Sequence, residues 1–295
     1  MADVSAKNVS LGSYTVSIEN IISIFDGLSS VVQEQADIEV ARWRRPPDQS
    51  EEDFEKAKAD ARNRAYKVTA TLKFSDGSSS FIQSSDMIRK EPQGPELSLV
   101  FMTNTTAFFS AANVQPTNQF NLSLDFSQPP LLDANTFISG PTRNGSGLNI
   151  EGDRPGWLAG IEKTVVERID KRHNLRKFLH GHFIYDYGLL GFGAPLALYF
   201  CWLSMGFIQQ NAKYWPILQA AAFVYIFFVG LWIYRILFSY LRWAYPLAEL
   251  KEQLSRPRKH RIFWWSIVTL LGGKVFWDLV DPLLSIRAFL RVLNY

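Results

Sequence analysis

The chain has 295 residues, a formal net charge of +3 and one cysteine, Cys201. This near balance of charge argues against a nucleic-acid-binding protein, because such proteins carry a strong excess of basic residues. A single cysteine excludes an internal disulfide and a cysteine-rich zinc site. The first thirty residues lack the basic start and apolar run of a secretory signal. We therefore expect the N-terminal region to remain on the side of synthesis.

The N-terminal part of the chain alternates apolar and polar residues in the manner of β-strands. From Tyr66 to Phe74 every second side chain is apolar, which predicts a strand with one buried face. The pair Asp76-Gly77 predicts a tight turn into a partner strand, "SSSFIQS". The same pattern predicts further strands near residues 96–105, 120–126 and 135–140. We expect an antiparallel meander with one face in water.

Two helices are predicted to cover the other face of this sheet. An early helix carries the apolar residues between Ile21 and Leu28, and a second begins at Ser50 with Asp53 at the capping-box position. The glycine-rich stretch 140–156 indicates a flexible linker. The fold class predicted for residues 1–156 is an α+β cytoplasmic domain, an antiparallel sheet with covering helices and a flexible end.

A connecting helix is predicted over residues 157–186. Leu158, Ile161, Val165 and Ile169 recur at the helical period. Because no proline interrupts the segment after Trp157, we expect one helix to run from the soluble domain toward the first long apolar stretch.

Two long apolar stretches predict an α-helical transmembrane hairpin over residues 187–241. No charged residue occurs from Tyr187 to Ile208 or from Tyr214 to Tyr234, and about 20 apolar residues suffice to cross a bilayer. Buried core helices are the alternative, but core helices rarely run so long without charge.

Basic residues predict the side of the membrane on which each end lies. Thirteen lysines and arginines flank the two apolar stretches, and only Lys213 lies between them. By the positive-inside rule, both termini of this multi-pass protein are expected in the cytoplasm. The residues expected at the membrane surface are basic or aromatic: Arg176, Lys177, Phe183, Tyr185, Tyr187, Trp264, Trp265 and Trp277.

Small residues in the first apolar stretch predict close packing of helices. Gly188, Gly191, Gly193 and Ala194 would let a second helix approach closely. We expect the partners of this region to be the lipid bilayer and further copies of the chain, in a homo-oligomer.

Residues 242–295 are predicted to be a basic cytoplasmic linker followed by an interfacial amphipathic tail. Only about a dozen apolar residues precede Lys274, and Asp278 and Asp281 follow. Because charges are costly at bilayer depth, a segment on or in the cytoplasmic leaflet is favoured over a third span, which stays the alternative.

The sequence contains no motif for catalysis, a cofactor or a metal. A phosphate-binding loop, a dinucleotide fingerprint, H-E-x-x-H and a G-x-S-x-G elbow are all missing. On a helix His180 and His182 would point apart, and His182 with Asp186 supplies two ligands where zinc needs three or four. We expect no metal and no cofactor, and an enzyme is the least favoured alternative.

Two functions fit these features. In the first, a cytoplasmic domain senses or binds a protein or a small ligand, and the hairpin anchors it and promotes self-association. In the second, the protein is a membrane-disrupting or pore-forming effector of a bacterial antiviral defence system, triggered through its soluble domain. The second function rests on an analogy of layout. Nucleic acid is not an expected partner.

Overall fold

The computed structural model describes residues 4–90, 95–129, 140–171, 175–253 and 255–284. The chain divides into two compact units. The first unit is Met1–Gln128, Arg143–Lys177 and Pro246–Leu254, and the second is Pro129–Thr142, Phe178–Tyr245 and Ser255–Tyr295. The chain therefore leaves the first unit before the long apolar helices and returns to it after them.

The secondary-structure elements follow one another in two groups. Up to residue 171 they are β1 (Ser5–Ser10), β2 (Tyr14–Val16), α1 (Ile18–Ala41), α2 (Glu51–Ala65), β3 (Thr69–Phe74), β4 (Ser79–Ile82), α3 (Ser85–Lys90), β5 (Leu97–Thr103), α4 (Thr105–Ala112), β6 (Gln119–Asp125), β7 (Gly147–Gly152), α5 (Pro155–Val166) and β8 (Asp170–Lys171). The later elements are α6 (Leu175–Leu179), α7 (Ile184–Gly188), a π-helical turn (Leu189–Gly193), α8 (Ala194–Asn211), α9 (Pro216–Ala244), β9 (Ala248–Leu250), a 3-10 turn (Lys251–Gln253) and α10 (Ser255–Leu284).

A six-stranded sheet forms the centre of the first unit, with the order β1-β7-β6-β5-β3-β4. All of its pairings are antiparallel, so the predicted α+β fold with an antiparallel sheet is confirmed. The predicted meander is wrong in its strand order, because β3 pairs with both β4 and β5. After β4, helix α3 packs against α1 and carries the chain past β3, which leaves β4 at the sheet edge.

A strand lies where the sequence predicted a flexible linker. β7 falls inside residues 140–156 and pairs with β1 on one side and β6 on the other. Its inward side chains, Leu148 and Ile150, are fully buried, so two apolar residues fix a strand that the surrounding glycines concealed. The strand expected at 135–140 lies outside the described residues, apart from Gly140.

The core of the first unit lies between one face of the sheet and the helices α1 and α5. Phe120, Leu122 and Leu124 alternate along β6 and are fully buried, and they join Ile24 and Ile161 in one apolar cluster. The predicted cap of α2 is also confirmed. Ser50 Oγ accepts a hydrogen bond from the backbone N–H of Asp53 at 3.1 Å.

The predicted connecting helix over 157–186 is not one helix. α5 ends at Val166, and Ile169, the last residue of the predicted stripe, is buried beyond that end. The chain leaves the helix because β8 pairs with β2. The apolar stripe that predicted one helix therefore continues past the end of α5.

Two long apolar helices follow, as the sequence predicted. The first extends from Ile184 to Asn211 through α7, the π-helical turn and α8, and the second is α9. Among the described residues, these are the two helices that are long and apolar enough to cross a membrane by length and composition. Both are longer than the predicted stretches, and α9 continues past Arg235 to Ala244.

Replacing Leu122 by alanine should lower the free energy of unfolding by about 2–5 kcal/mol, because it leaves a cavity in the core. The measurement is the thermal midpoint of the purified full-length protein in detergent, followed by near-UV circular dichroism. Ser123→Ala, on the half-buried opposite face of the same strand, is the matched control and should change the midpoint little. Equal effects of the two substitutions would contradict the assigned faces of β6.

Candidate functional site: the apolar hairpin and its base

The two long apolar helices approach each other closely at Gly230 of α9. A Cβ atom placed on Gly230 would lie 2.6 Å from the Cα of Ala197 on α8 and 2.7 Å from its Cβ. Since a contact with backbone cannot be relieved by rotating a side chain, only glycine fits this crossing. The sequence prediction missed Gly230, although a lone glycine inside an apolar helix is the usual signal for close packing.

The four small residues predicted for helix packing occupy different surroundings. A Cβ on Gly193 would lie 2.8 Å from Cγ of Tyr234, and one on Gly188 would collide with the hydroxyl of the same tyrosine. By contrast, a Cβ on Gly191 would meet nothing within 4 Å, and Ala194 is half-buried. Two of the four positions thus accommodate Tyr234 of α9.

Aromatic side chains fill the space between the two helices near their α7 end. Tyr234 donates a hydrogen bond to the carbonyl oxygen of Tyr185 at 3.1 Å. The ring of Tyr185 lies 5.6 Å from that of Tyr234 and 5.4 Å from that of Phe238, measured between centroids. Tyr185, predicted at the membrane surface, therefore packs against α9.

The outer surface of the two helices is apolar and exposed. Only 11% of the most apolar window of each helix is buried within the protein. The predicted surface residues Phe183 and Tyr187 are 59% and 71% exposed, and Phe207 and Ile217 near the connecting turn are 72% and 87% exposed. A continuous apolar surface of this kind is rare on soluble proteins and marks a membrane or protein contact.

The two neighbouring histidines, His180 and His182, differ in their exposure to solvent. His180 is buried, its Nε2 donates to the carbonyl oxygen of Tyr245 at 2.7 Å, and its Nδ1 lies 2.7 Å from Thr142 Oγ1. His182 is exposed. Among the residues that the structure describes, no group of three or more metal-ligating side chains occurs. His180 therefore fastens the chain before α7 to the chain after α9.

A second small sheet, within the first unit, joins the chain on both sides of the apolar helices. Its strand order is β8-β2-β9. The central strand β2 pairs antiparallel with β8, which precedes the helices, and parallel with β9, which follows them. We call this sheet the clasp. Its consequence is that Asp170 and Glu249 are neighbours across one strand, although the whole hairpin separates them in sequence.

An ion pair reinforces the clasp. Arg176 Nη2 lies 2.6 Å from Oε2 of Glu249, and their side chains are 17% and 3% exposed. Arg176, which the sequence predicted at lipid head groups, thus forms an ion pair within the first unit. Glu249 was not predicted, since nothing near it in sequence marks a carboxylate whose partner lies 73 residues earlier.

The remaining predicted surface residues are spread over the chain. Lys177 is exposed at the end of the first unit. Trp264 is buried against the ring of Tyr240 of α9, with 6.1 Å between centroids. Trp265 and Trp277 are 58% and 62% exposed on α10. Of the three tryptophans, two face outward from the helices.

The first unit also contains an open cleft of about 760 Å³ between α2, α4 and the strands β3 and β4. Trp43, Phe81 and Phe108 contribute aromatic walls, and Lys67 lies at its margin. Arg64, another lining residue, is bound to Asp60 at 2.8 Å. Aromatic walls with a few polar groups are typical of small-ligand sites.

One wall of this cleft is held by a buried tyrosine. The Tyr66 hydroxyl donates to Glu39 Oε2 at 2.6 Å, and its ring packs edge-on against Phe108 at 5.2 Å. Burial raises the pKa of Tyr66, and the hydrogen-bonded Glu39 carboxylate raises it further. The phenol therefore stays protonated at physiological pH and keeps the wall in place.

Comparison with known proteins gives no relative for the chain. No protein-family model matches it, and neither the curated proteins nor the solved structures contain a match.

Replacing Gly230 by valine should separate α8 from α9, because the new side chain meets the backbone of Ala197. We expect a loss of stability of about 1–3 kcal/mol, as for other overpacked positions, measured as a lower thermal midpoint in detergent. Gly206→Val is the matched control, since a Cβ there meets nothing within 4 Å. A midpoint that falls as far in the control would show that the crossing is not at Gly230.

Replacing Glu249 by alanine should destabilise the first unit by about 3 kcal/mol, because it removes the buried partner of Arg176. Hydrogen exchange of the β2 and β9 amides in the full-length protein is the measurement, with faster exchange expected. Glu167→Ala removes an exposed partner of Lys163, whose side chain is 74% exposed, and should have little effect. Unchanged exchange in the Glu249 variant would show that the ion pair does not hold the clasp.

Proposed function

We propose that the protein is an integral membrane protein whose two long apolar helices cross the bilayer as a hairpin. Helices of 28 and 29 residues are about 42 Å long at 1.5 Å per residue, more than the roughly 30 Å thickness of the hydrocarbon core. Their exposed apolar side chains would be solvated by lipid. The short turn between α8 and α9 would lie at the opposite surface.

The clasp is the observation that carries this proposal. A hydrogen-bonded sheet cannot be divided by a bilayer, because its backbone groups need their partners. β8 and β9 must therefore lie on one side of the membrane, and the chain between them must cross it an even number of times. Two apolar helices in that interval satisfy the condition, and the basic residues around them support the cytoplasm as the side of the clasp.

The first unit is proposed to act as a cytoplasmic binding or sensing domain. The support is the cleft beside Trp43 and Phe108, which combines aromatic walls with the cation of Lys67. We propose a non-enzymatic role in which a protein or small ligand binds this unit, while the hairpin anchors it and self-associates. The close approach at Gly230 is used within the hairpin, so contacts between copies would involve the exposed faces.

Cysteine labelling tests the topology. In a Cys201→Ala background, a water-soluble maleimide applied to intact cells should label a cysteine at Asn211, in the turn. It should label a cysteine at Ser50 only after the cells are opened. Labelling of Ser50 from outside, or protection of Asn211, would contradict the proposed hairpin.

Induced expression of the chain distinguishes the proposed membrane-anchored binding protein from the alternative, a membrane-disrupting effector. An anchored binding protein should accumulate without loss of membrane potential, measured with a potential-sensitive dye. The Gly230→Val variant, with its hairpin disturbed, is the control. Collapse of the potential by the wild-type chain and not by the variant would favour the membrane-disrupting effector and contradict the anchor.

A further inference from the structure

Helix α10 is apolar on opposite sides in its central part, between Arg261 and Lys274. Between Arg261 and Lys274 the only polar side chains are Ser266 and Thr269, apart from the indole groups of two tryptophans. The Ser266 hydroxyl is satisfied inside the helix, by the carbonyl oxygen of Ile262 at 2.9 Å. An interfacial helix needs a polar face for water, whereas a helix that is apolar all round is buried or crosses a membrane.

One side of α10 faces the apolar helices across a groove of about 1030 Å³. Val268, Leu271 and Val275 line this groove from α10, opposite Leu196 of α8 and Leu237 of α9. The opposite side carries exposed large side chains, among them Leu270 at 73% and Phe263 at 58%. Water would be in contact with apolar surface on both sides.

Contacts at two levels show that α10 runs alongside the hairpin. Near its start, His260 Nδ1 lies 2.9 Å from the hydroxyl of Tyr240, close to the end of α9. Near its end, Asp278 accepts a hydrogen bond from Tyr199, in the middle of α8. His260 and Asp278 are 18 residues apart, about 27 Å along a helix. α10 therefore follows the hairpin and does not turn away from it.

We infer that α10 is a third membrane-inserted helix, whose partner is lipid hydrocarbon on its outer side and in the groove. The inference rests on the proposed insertion of the hairpin. If the hydrocarbon core begins near Tyr187, Tyr199 lies about 18 Å inside it and the end of α10 about 9 Å farther. Such a helix nearly crosses a core of roughly 30 Å.

Two of the three charges that argued against a third span, Lys274 and Asp278, have partners in the structure. One carboxylate oxygen of Asp278 accepts from Tyr199, and the other lies 2.5 Å from Nζ of Lys274. The pair is neutral as a whole, and Asp278 has a side-chain exposure of 15%. Charged groups inside membranes are tolerated when they are paired. Asp278 faces the helices, and its carboxylate neutralises Lys274, whose side chain is 65% exposed. The Tyr199–Asp278–Lys274 cluster would hold α10 against α8.

The insertion of α10 changes the expected position of its last residue, Leu284. Basic residues alone placed both termini in the cytoplasm, but a helix that starts at the cytoplasmic base of the hairpin and nearly crosses the core ends toward the outer surface. The expectation for the first unit is unaffected, because the pairing of β8 and β9 with β2 does not involve α10.

Labelling in sealed inside-out membrane vesicles, prepared from cells that express the chain, tests the inference. Single cysteines are placed at Leu270 on α10, at Leu198 on α8 and at the exposed Lys259, all in a full-length Cys201→Ala chain. A water-soluble maleimide should label Lys259→Cys at once. It should label Leu198→Cys and Leu270→Cys only after denaturation in detergent, since both would face lipid. The ratio of rates, Lys259→Cys to Leu270→Cys, should exceed tenfold.

The labelling pattern distinguishes a failure of the α10 inference from a failure of the proposed hairpin. Rapid labelling of Leu270→Cys with protection of Leu198→Cys would overturn the insertion of α10 and leave the hairpin in place. Rapid labelling of both would overturn the proposed function as well.

The role of the Tyr199–Asp278–Lys274 cluster is tested by adding Asp278→Leu to the Leu270→Cys chain. This substitution should speed labelling, because it leaves Lys274 without its carboxylate. Adding Lys274→Leu as well should restore protection, and an unchanged rate in the Asp278→Leu chain would overturn that role.

Discussion

The pairing of β2 with β8 on one side and β9 on the other constrains the rest of the structure. Strand β2 comes from the beginning of the chain, and its neighbours come from before and after the apolar helices. The contact is built from few hydrogen bonds, but it is reinforced by the ion pair of Arg176 with Glu249, whose side chains are largely buried. Whatever lies between β8 and β9 must leave the first unit and return to the same place.

A hairpin of two long helices returns the chain to the first unit, and contacts between its two ends agree with this path. At its base, His180 and Arg242 bind carbonyl oxygens at the opposite end of the same segment, those of Tyr245 and Leu179. Farther along, Gly230 lets α9 approach the backbone of α8. These contacts connect residues far apart in sequence, so the hairpin is defined by packing as well as by its turn.

Local signals in the sequence predicted a large part of the fold. The alternation from Tyr66, the turn at Asp76-Gly77 and the cap at Ser50 each depend on a few neighbouring residues, and the structure has an element at each place. β7 escaped prediction because glycines and polar residues surround its two buried side chains, and its stability comes from β1 and β6. The clasp escaped because β2, β8 and β9 are two or three residues long. Such strands have no pattern of their own.

The candidate site was less predictable, because it too depends on contacts between residues that are far apart in the sequence. Composition indicated the two apolar helices, but the partners of individual side chains depend on distant segments. The pairing of Arg176 with Glu249 has no local signal, because 73 residues separate the two. The hydrogen bond from Tyr199 to Asp278 also has no local signal, because the two residues belong to different helices. The free energy of a buried charge depends on the groups around it in the folded structure. The neighbouring residues in the sequence do not show which groups these are.

Limited proteolysis of sealed inside-out vesicles tests the central claim most directly. The claim is that the chain between β8 and β9 crosses the membrane as one hairpin with both ends on the cytoplasmic side. Lys213 is the only lysine or arginine in the turn between the apolar stretches. Trypsin acting from the cytoplasmic side should therefore release a protected fragment that contains α8 and α9 with Lys213 uncut, identified by its mass. Cleavage at Lys213 from that side, with the vesicles intact, would contradict the claim.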